Sequence, residues 1–216
     1  MDKMDSSIPL TRRSLGLALG AAALAGPAFA QTLSPADQAL VARAIAYLES
    51  LAQAKARFVQ TDPRGQTSQG VVYLKRPGKA RFEYDPPSGL LVVSDGAAVA
   101  VSDSRLKTFD RYPLSATPLS LFLARNIRLD RGVQVTGVTR AADGFTITAR
   151  DIRKQTAGQI ALTFRDSPLT LAAWAVTDAQ RRTTRVQLAG LAPVSQLQSG
   201  LFVLRDPRHG AGRGKL

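Results

Sequence analysis

The chain has 216 residues, a formal net charge of +13 and no cysteine. The missing cysteine excludes disulfides, thiol nucleophiles, thiolate metal sites and a lipid-modified N-terminal cysteine. Hydrophobic residues make up 44% of the chain, enough for one domain with a substantial core, and the basic balance points to anionic membrane surfaces or acidic partners.

The first segment is basic and contains Arg12-Arg13, and an uncharged run over 14–30 closes on Ala28-Phe29-Ala30. A basic start, a short apolar stretch and an A-x-A site predict a secretory signal peptide over 1–30. Thr11-Arg12-Arg13-Ser14-Leu15 leaves twin-arginine export open beside the general secretory route. No later stretch approaches the run of about 18 apolar residues that a membrane helix needs. Residues 31–216 are therefore expected to form a single soluble domain in the periplasm, with 206–216 a disordered basic tail.

Ser34-Pro35-Ala36-Asp37 reads as an N-cap, a proline in the first turn and an acidic capping partner. Leu40, Val41, Ala44, Ile45, Leu48, Leu51 and Ala52 then recur at helical spacing, which predicts an amphipathic helix ending near Lys55. Short β-prone runs follow over 57–61, 70–76, 80–84, 90–94, 98–102 and 106–110. Turn residues such as Asp62-Pro63-Arg64-Gly65, Pro77-Gly78, Pro86-Pro87-Ser88-Gly89 and Asp95-Gly96 separate them, as in an antiparallel meander. An apolar helical turn or two is expected over 117–124, and a second set of strands over 133–139, 145–151, 159–165, 169–177, 183–188 and 201–205. Eleven or twelve short strands with two helices predict a mainly β, α+β fold: an unclosed antiparallel β-barrel whose open side is covered by a helical lid.

Catalytic machinery is hard to assemble from these residues. The only histidine, His209, stands among glycines and arginines near the C-terminus, so a His-based triad or an ordinary zinc site lacks its parts, and neither a metal nor a cofactor is expected. Glu83 and Asp85 share a strand face and are the one candidate acid–base pair. Arg81 alternates onto that face, and Arg81, Glu83 and Asp85 opposite Ala80, Phe82 and Tyr84 read as the wet side of a half-buried strand. Asp62, Asp95, Asp103 and Asp143 fall in turns, where aspartate serves the backbone. Basic residues alternate singly with apolar ones, without the aromatic ladder of a nucleic-acid surface. A binding protein is expected rather than an enzyme.

Lys75-Arg76-Pro77-Gly78-Lys79-Ala80-Arg81-Phe82-Glu83-Tyr84, then Val93-Ser94-Asp95-Gly96, then Pro113-Leu114 with Thr117-Pro118-Leu119, resemble the periplasmic outer-membrane lipoprotein carrier family, LolA. The likeness runs over roughly 33–205. It implies that the protein carries the acyl chains of lipoproteins, received from an inner-membrane ABC transporter and passed to an outer-membrane receptor, as a monomer with transient membrane-surface contact. Each methylene left in water costs about 0.8 kcal/mol, and a triacylated cysteine carries on the order of 40 of them, so such cargo needs an escort.

The resemblance makes Arg76 the counterpart of the family's functional arginine, a latch between barrel and lid. Val72, Leu74, Phe82, Val92 and Trp174 become candidate cavity walls, and Leu48, Leu51, Leu119, Phe122 and Leu123 candidate lid residues. Ala80 stands where the family usually has a large aromatic, Phe82 where tryptophan is usual, and Ala-Ala-Val-Ala-Val-Ser follows Asp95-Gly96 without the common aromatics. A binder of another amphiphile such as a glycolipid, on the same scaffold, and an envelope hydrolase using Glu83 and Asp85 are the competing readings.

Overall fold

The computed structural model describes residues 33–117, 119–123, 133–152 and 158–206. The expected signal peptide, Pro118, Ala124, His209 and the tail beyond Asp206 lie outside the described residues.

Helix α1 (Pro35–Ser50) starts as its capping residues dictate. The Ser34 hydroxyl accepts from the Asp37 N–H at 3.1 Å and donates to the Asp37 carboxylate at 2.7 Å, and Pro35 sits in the first turn. Val41, Ala44 and Leu48 form its buried stripe. The helix ends at Ser50, short of Lys55, and β1 begins at Gln53. Ala52, Ala54 and Ala56 fit a helix as well as a strand, and tertiary burial of Ala54, Ala56 and Phe58 on alternate positions selects the strand.

Eleven strands follow: β1 (Gln53–Thr61), β2 (Thr67–Lys75), β3 (Lys79–Tyr84), β4 (Leu90–Asp95), β5 (Ala98–Asp103), β6 (Thr108–Pro113), β7 (Val133–Ala141), β8 (Gly144–Asp151), β9 (Gln159–Asp166), β10 (Leu169–Thr177) and β11 (Thr183–Pro193). A short helix, α2 (Leu119–Leu123), stands between β6 and β7. All strands belong to one antiparallel sheet in the order β6-β5-β4-β3-β2-β1-β11-β10-β9-β8-β7. Two sequential meanders are thus joined by the long-range pair β1–β11, and the sheet never closes, because β6 and β7 are its two edges. Exposed Asp110, Arg111 and Pro113 keep the β6 edge from recruiting another strand.

The concave face carries Ala54, Ala56 and Phe58 of β1, Val72 and Leu74 of β2, Ala80 and Phe82 of β3, Trp174 of β10 and Val186 of β11. Val41, Ala44 and Leu48 of α1 and Leu123 of α2 belong to the same cluster. Helix α1 therefore buries its apolar stripe on the hollow of the sheet, and α2 buries Leu123 there.

The expected twelfth strand over 201–205 is not a strand. The chain after β11 crosses the convex face, with a 3-10 turn at Ser199–Phe202. Leu197 and Phe202 pack there on Val93, beside Tyr73 and Leu91. Lys75 Nζ donates to the Leu197 carbonyl at 2.9 Å, and Arg81 Nη1 to that of Leu201 at 3.0 Å. The apolar run of Leu201, Phe202 and Val203 thus covers outward-facing apolar side chains that would otherwise meet water, instead of extending the sheet.

Candidate functional site

The concave face is not filled throughout. A cavity of about 270 Å³ opens between it and the segment leading into α2, lined by Gln60, Phe82, Tyr84, Val92, Thr117, Leu119, Trp174, Val176, Thr184 and Val186. None of these side chains is charged. Register sorts them into two tiers. Phe82, Trp174 and Val186 are buried and form the floor, with Trp174 paired to Val186 and Phe82 to Val92. Tyr84, Val176 and Thr184 lie two residues further toward one end of the same strands, and Gln60 of β1 stands opposite Val186; all four are half-buried and form a rim.

Edge-to-face aromatic contacts hold the floor. Phe82 meets Trp174 at 6.0 Å between ring centroids and Phe58 at 5.6 Å, and Phe58 meets Tyr84 at 5.0 Å. Such pairs add about 0.5–1.5 kcal/mol each beyond their burial.

At the rim the Tyr84 hydroxyl donates to Gln60 Oε1 at 2.8 Å. Burial opposes the phenolate and pushes the Tyr84 pKa up to about 12, against a partial lowering by the Gln60 hydrogen bond. Folded Tyr84 then keeps its proton between about pH 10 and 12 while the unfolded chain loses it. Its contribution to stability is complete below pH 10 and declines by up to about 1.4 kcal/mol per pH unit as pH rises through that window. Denaturant midpoints at rising pH should fall less steeply for Tyr84→Phe than for the unaltered chain; parallel curves would contradict the burial.

The turn between β2 and β3 reaches both helices. Arg76 continues the inward face of Val72 and Leu74, and its Nη1 donates to the Leu48 carbonyl in the last turn of α1. A helix end presents carbonyls without intrahelical partners and a partial negative charge, which a guanidinium suits. The Arg76 N–H donates to the Ala52 carbonyl at 2.8 Å, and the Gly78 N–H to the Leu123 carbonyl of α2 at 2.7 Å. Burial lowers the Arg76 pKa, and the nearby Glu49 carboxylate opposes that shift. Gly78 has φ +77°, and a Cβ there would approach Gly96 Cα to 2.7 Å, so only glycine fits. The buried Ser94 hydroxyl fixes this turn from below by donating to the Gly78 carbonyl at 2.6 Å.

Of the wall and lid candidates, Phe82, Val92, Trp174 and Leu119 line the cavity. Val72, Leu74, Leu48, Leu51 and Leu123 sit in the adjoining packed core, and the Phe122 side chain lies outside what is described. Gln60, Val176, Thr184 and Val186 were not singled out by the sequence, and Tyr84 and Thr117, named there only on a strand face and in the family motif, were not expected in the cavity wall. Period-2 spacing from Phe82 to Tyr84 and from Trp174 to Val176 was the available signal.

Glu83 and Asp85 are each engaged by an arginine. Arg81 Nε lies 2.6 Å from Glu83 Oε1, and Arg57 forks onto the Asp85 carboxylate, one arm at 3.1 Å. The Arg57 hydrogen bond holds the Asp85 carboxyl below its ordinary value, so it stays ionised and is no proton donor near neutrality. Among the described residues no cluster of three or more His, Asp or Glu side chains could hold a metal ion. No helix among them is long and apolar enough to cross a membrane.

An unclosed antiparallel sheet, helices on its hollow face and an uncharged cavity beneath them define the class of lidded half-barrel proteins. The profile of the outer membrane lipoprotein carrier protein LolA matches residues 49–205, and the chain belongs to that family. An outer-membrane lipoprotein carrier protein of Chromobacterium violaceum is 26% identical over 183 residues, covering 81% of this chain and 87% of that one. Similar solved structures include an uncharacterized conserved protein from Thermus thermophilus, at TM-score 0.48 and 12% identity over 80% of this chain and 96% of that one. Another is a putative outer membrane lipoprotein-sorting protein domain from Vibrio parahaemolyticus, at TM-score 0.46 and 11% identity over 76% of this chain and 94% of that one.

Proposed function

We propose that the protein is a periplasmic carrier that takes the acyl chains of lipoproteins leaving the inner membrane into its concave cavity and delivers them to the outer membrane. The observation that carries this reading is the uncharged, half-open hollow over Phe82 and Trp174, at the face covered by α1 and α2. Membership of the lipoprotein carrier family and the C. violaceum relative support lipoproteins as the cargo. An inner-membrane releasing transporter and an outer-membrane receptor are the partners this role calls for. Residues 1–30 would direct export, and 31–216 would act as one carrier domain.

The size of the cavity makes loading a conformational event. At about 270 Å³ it is under twice the ~150 Å³ of an apolar cavity that accepts benzene, room for a stretch of one alkyl chain. Several chains require α2 to move away from the sheet. The bonds from Arg76 to α1 and from Gly78 to α2 are then the latch that cargo must open.

Trp174 is the only tryptophan in the chain and lies on the cavity floor, so its fluorescence reports occupancy. A lipopeptide with a brominated acyl chain should quench it strongly, and the protein should hold an acylated lipoprotein in solution without detergent. Unquenched Trp174 emission at saturating lipopeptide, together with no soluble lipoprotein complex, would overturn the carrier reading.

A further inference from the structure

The rim of the cavity is chemically distinct from its floor. Gln60, Tyr84 and Thr184 bring an amide and two hydroxyls to one end of an otherwise aliphatic and aromatic hollow, and Thr117 adds a third hydroxyl from the α2 segment. Tyr84 donates to the Gln60 amide oxygen, which fixes that side chain and leaves its two amide N–H groups for another acceptor. The Thr117 hydroxyl donates to the Leu114 carbonyl at 2.8 Å, so its oxygen is left as an acceptor.

Resting on the acyl-carrier reading above, we propose that Gln60 and Thr184 form a subsite for the neutral carbonyl of an esterified or amidated acyl chain, so that the protein selects linked chains over free fatty acids. Neutral donors suit a carbonyl oxygen, which gains a hydrogen bond and brings no charge into the hollow. A carboxylate or phosphate at the same point would lose hydration without a cation among the lining side chains. The neighbouring hairpin tips carry Arg64, Arg181 and Arg182, but all three are exposed, none lines the cavity, and Arg182 is engaged by Asp178 at 2.8 Å. Burial orders the two tiers in the same sense, with the tail on Phe82 and Trp174 and the linkage at the half-buried rim.

The experiment titrates the full chain with an ω-brominated medium-chain fatty acid and with its methyl ester, at a pH where the acid is ionised, reading Trp174 quenching. The ester should bind about tenfold or more tightly than the acid. Gln60→Leu should weaken the ester by roughly threefold to tenfold, the share of one hydrogen bond, while leaving the acid unchanged. Thr184→Val should act in the same direction, and thermal melts of both variants establish that they fold. Equal affinity for acid and ester, or an ester preference untouched in both folded variants, would overturn the rim subsite while the acyl-carrier reading stands. Absence of quenching by either probe would overturn both.

Discussion

Phe58→Ala is expected to destabilise the folded chain by about 3–5 kcal/mol, the largest loss of any single side chain beneath the cavity. Phe58 is 1% exposed and meets Phe82 and Tyr84 edge to face, so its ring supports one residue of the floor and one of the rim. Its backbone partner across β2 is Gly70, which faces Tyr84 on the other side. A Cβ on Gly70 would lie 2.9 Å from the Phe58 ring and collide with the Glu83 carbonyl. The absence of a side chain at Gly70 is therefore what seats Phe58. Because β1 also joins the two meanders through β11, neighbours cannot collapse into the void without disturbing that junction. Urea unfolding should show the midpoint fall with the slope retained; a loss below about 1 kcal/mol would mean that the void is readily refilled.

The parts of the fold legible in the sequence are those set by local rules. The capping residues before α1 and the turn dipeptides of each meander act within a few positions of themselves. Asp62 accepts from the Arg64 and Gln66 N–H groups, Asp95 from Ala97 and Ala98, and Asp103 from Arg105 and Leu106, as turn aspartates should. The stretches that depart from expectation are those decided by distant partners. Ala54 and Ala56 are strand because β2 and β11 flank them, and the run around Phe202 is a strap because Tyr73, Leu91 and Val93 need cover.

The candidate site divides along the same line. Alternation places Leu74 and Phe82 on one face of the sheet, yet Leu74 is packed beneath the lid whereas Phe82 borders open space. Both are apolar, inward and buried, so no property of either residue separates core from cavity; the separation depends on where α1 and α2 come to rest. Gln60 is hidden for a related reason. A lone glutamine near a strand end looks solvated until Tyr84, contributed by another hairpin, donates its hydroxyl to the amide oxygen.

Arg76→Leu is expected to leave a folded protein that still loads acyl cargo but surrenders it poorly. In the closed state the guanidinium holds the end of α1 through the Leu48 carbonyl, while the Gly78 N–H of the same turn holds the end of α2. Cargo that lifts the helices must break this arrangement, so its apparent affinity is lowered by whatever the latch contributes to the closed state. A hydrogen bond from a charged group contributes about 1.5–3 kcal/mol when shielded, and Arg76 is only half-buried, so a value near the low end applies. Removing it should tighten cargo retention by about tenfold, since about 1.4 kcal/mol is a factor of ten. The same step lowers the stability of the empty protein by up to a similar amount, because the Leu48 carbonyl loses its charged donor and keeps only the Leu51 N–H at 3.3 Å. The two effects have opposite signs on the two states, and that distinguishes a latch from an ordinary core contact, whose loss would weaken both. Stability of the empty variant by urea unfolding, and transfer of a bound acylated lipoprotein to outer-membrane vesicles, measure them separately. Transfer at the unaltered rate, or weaker rather than tighter retention, would show that Arg76 holds the fold without governing release.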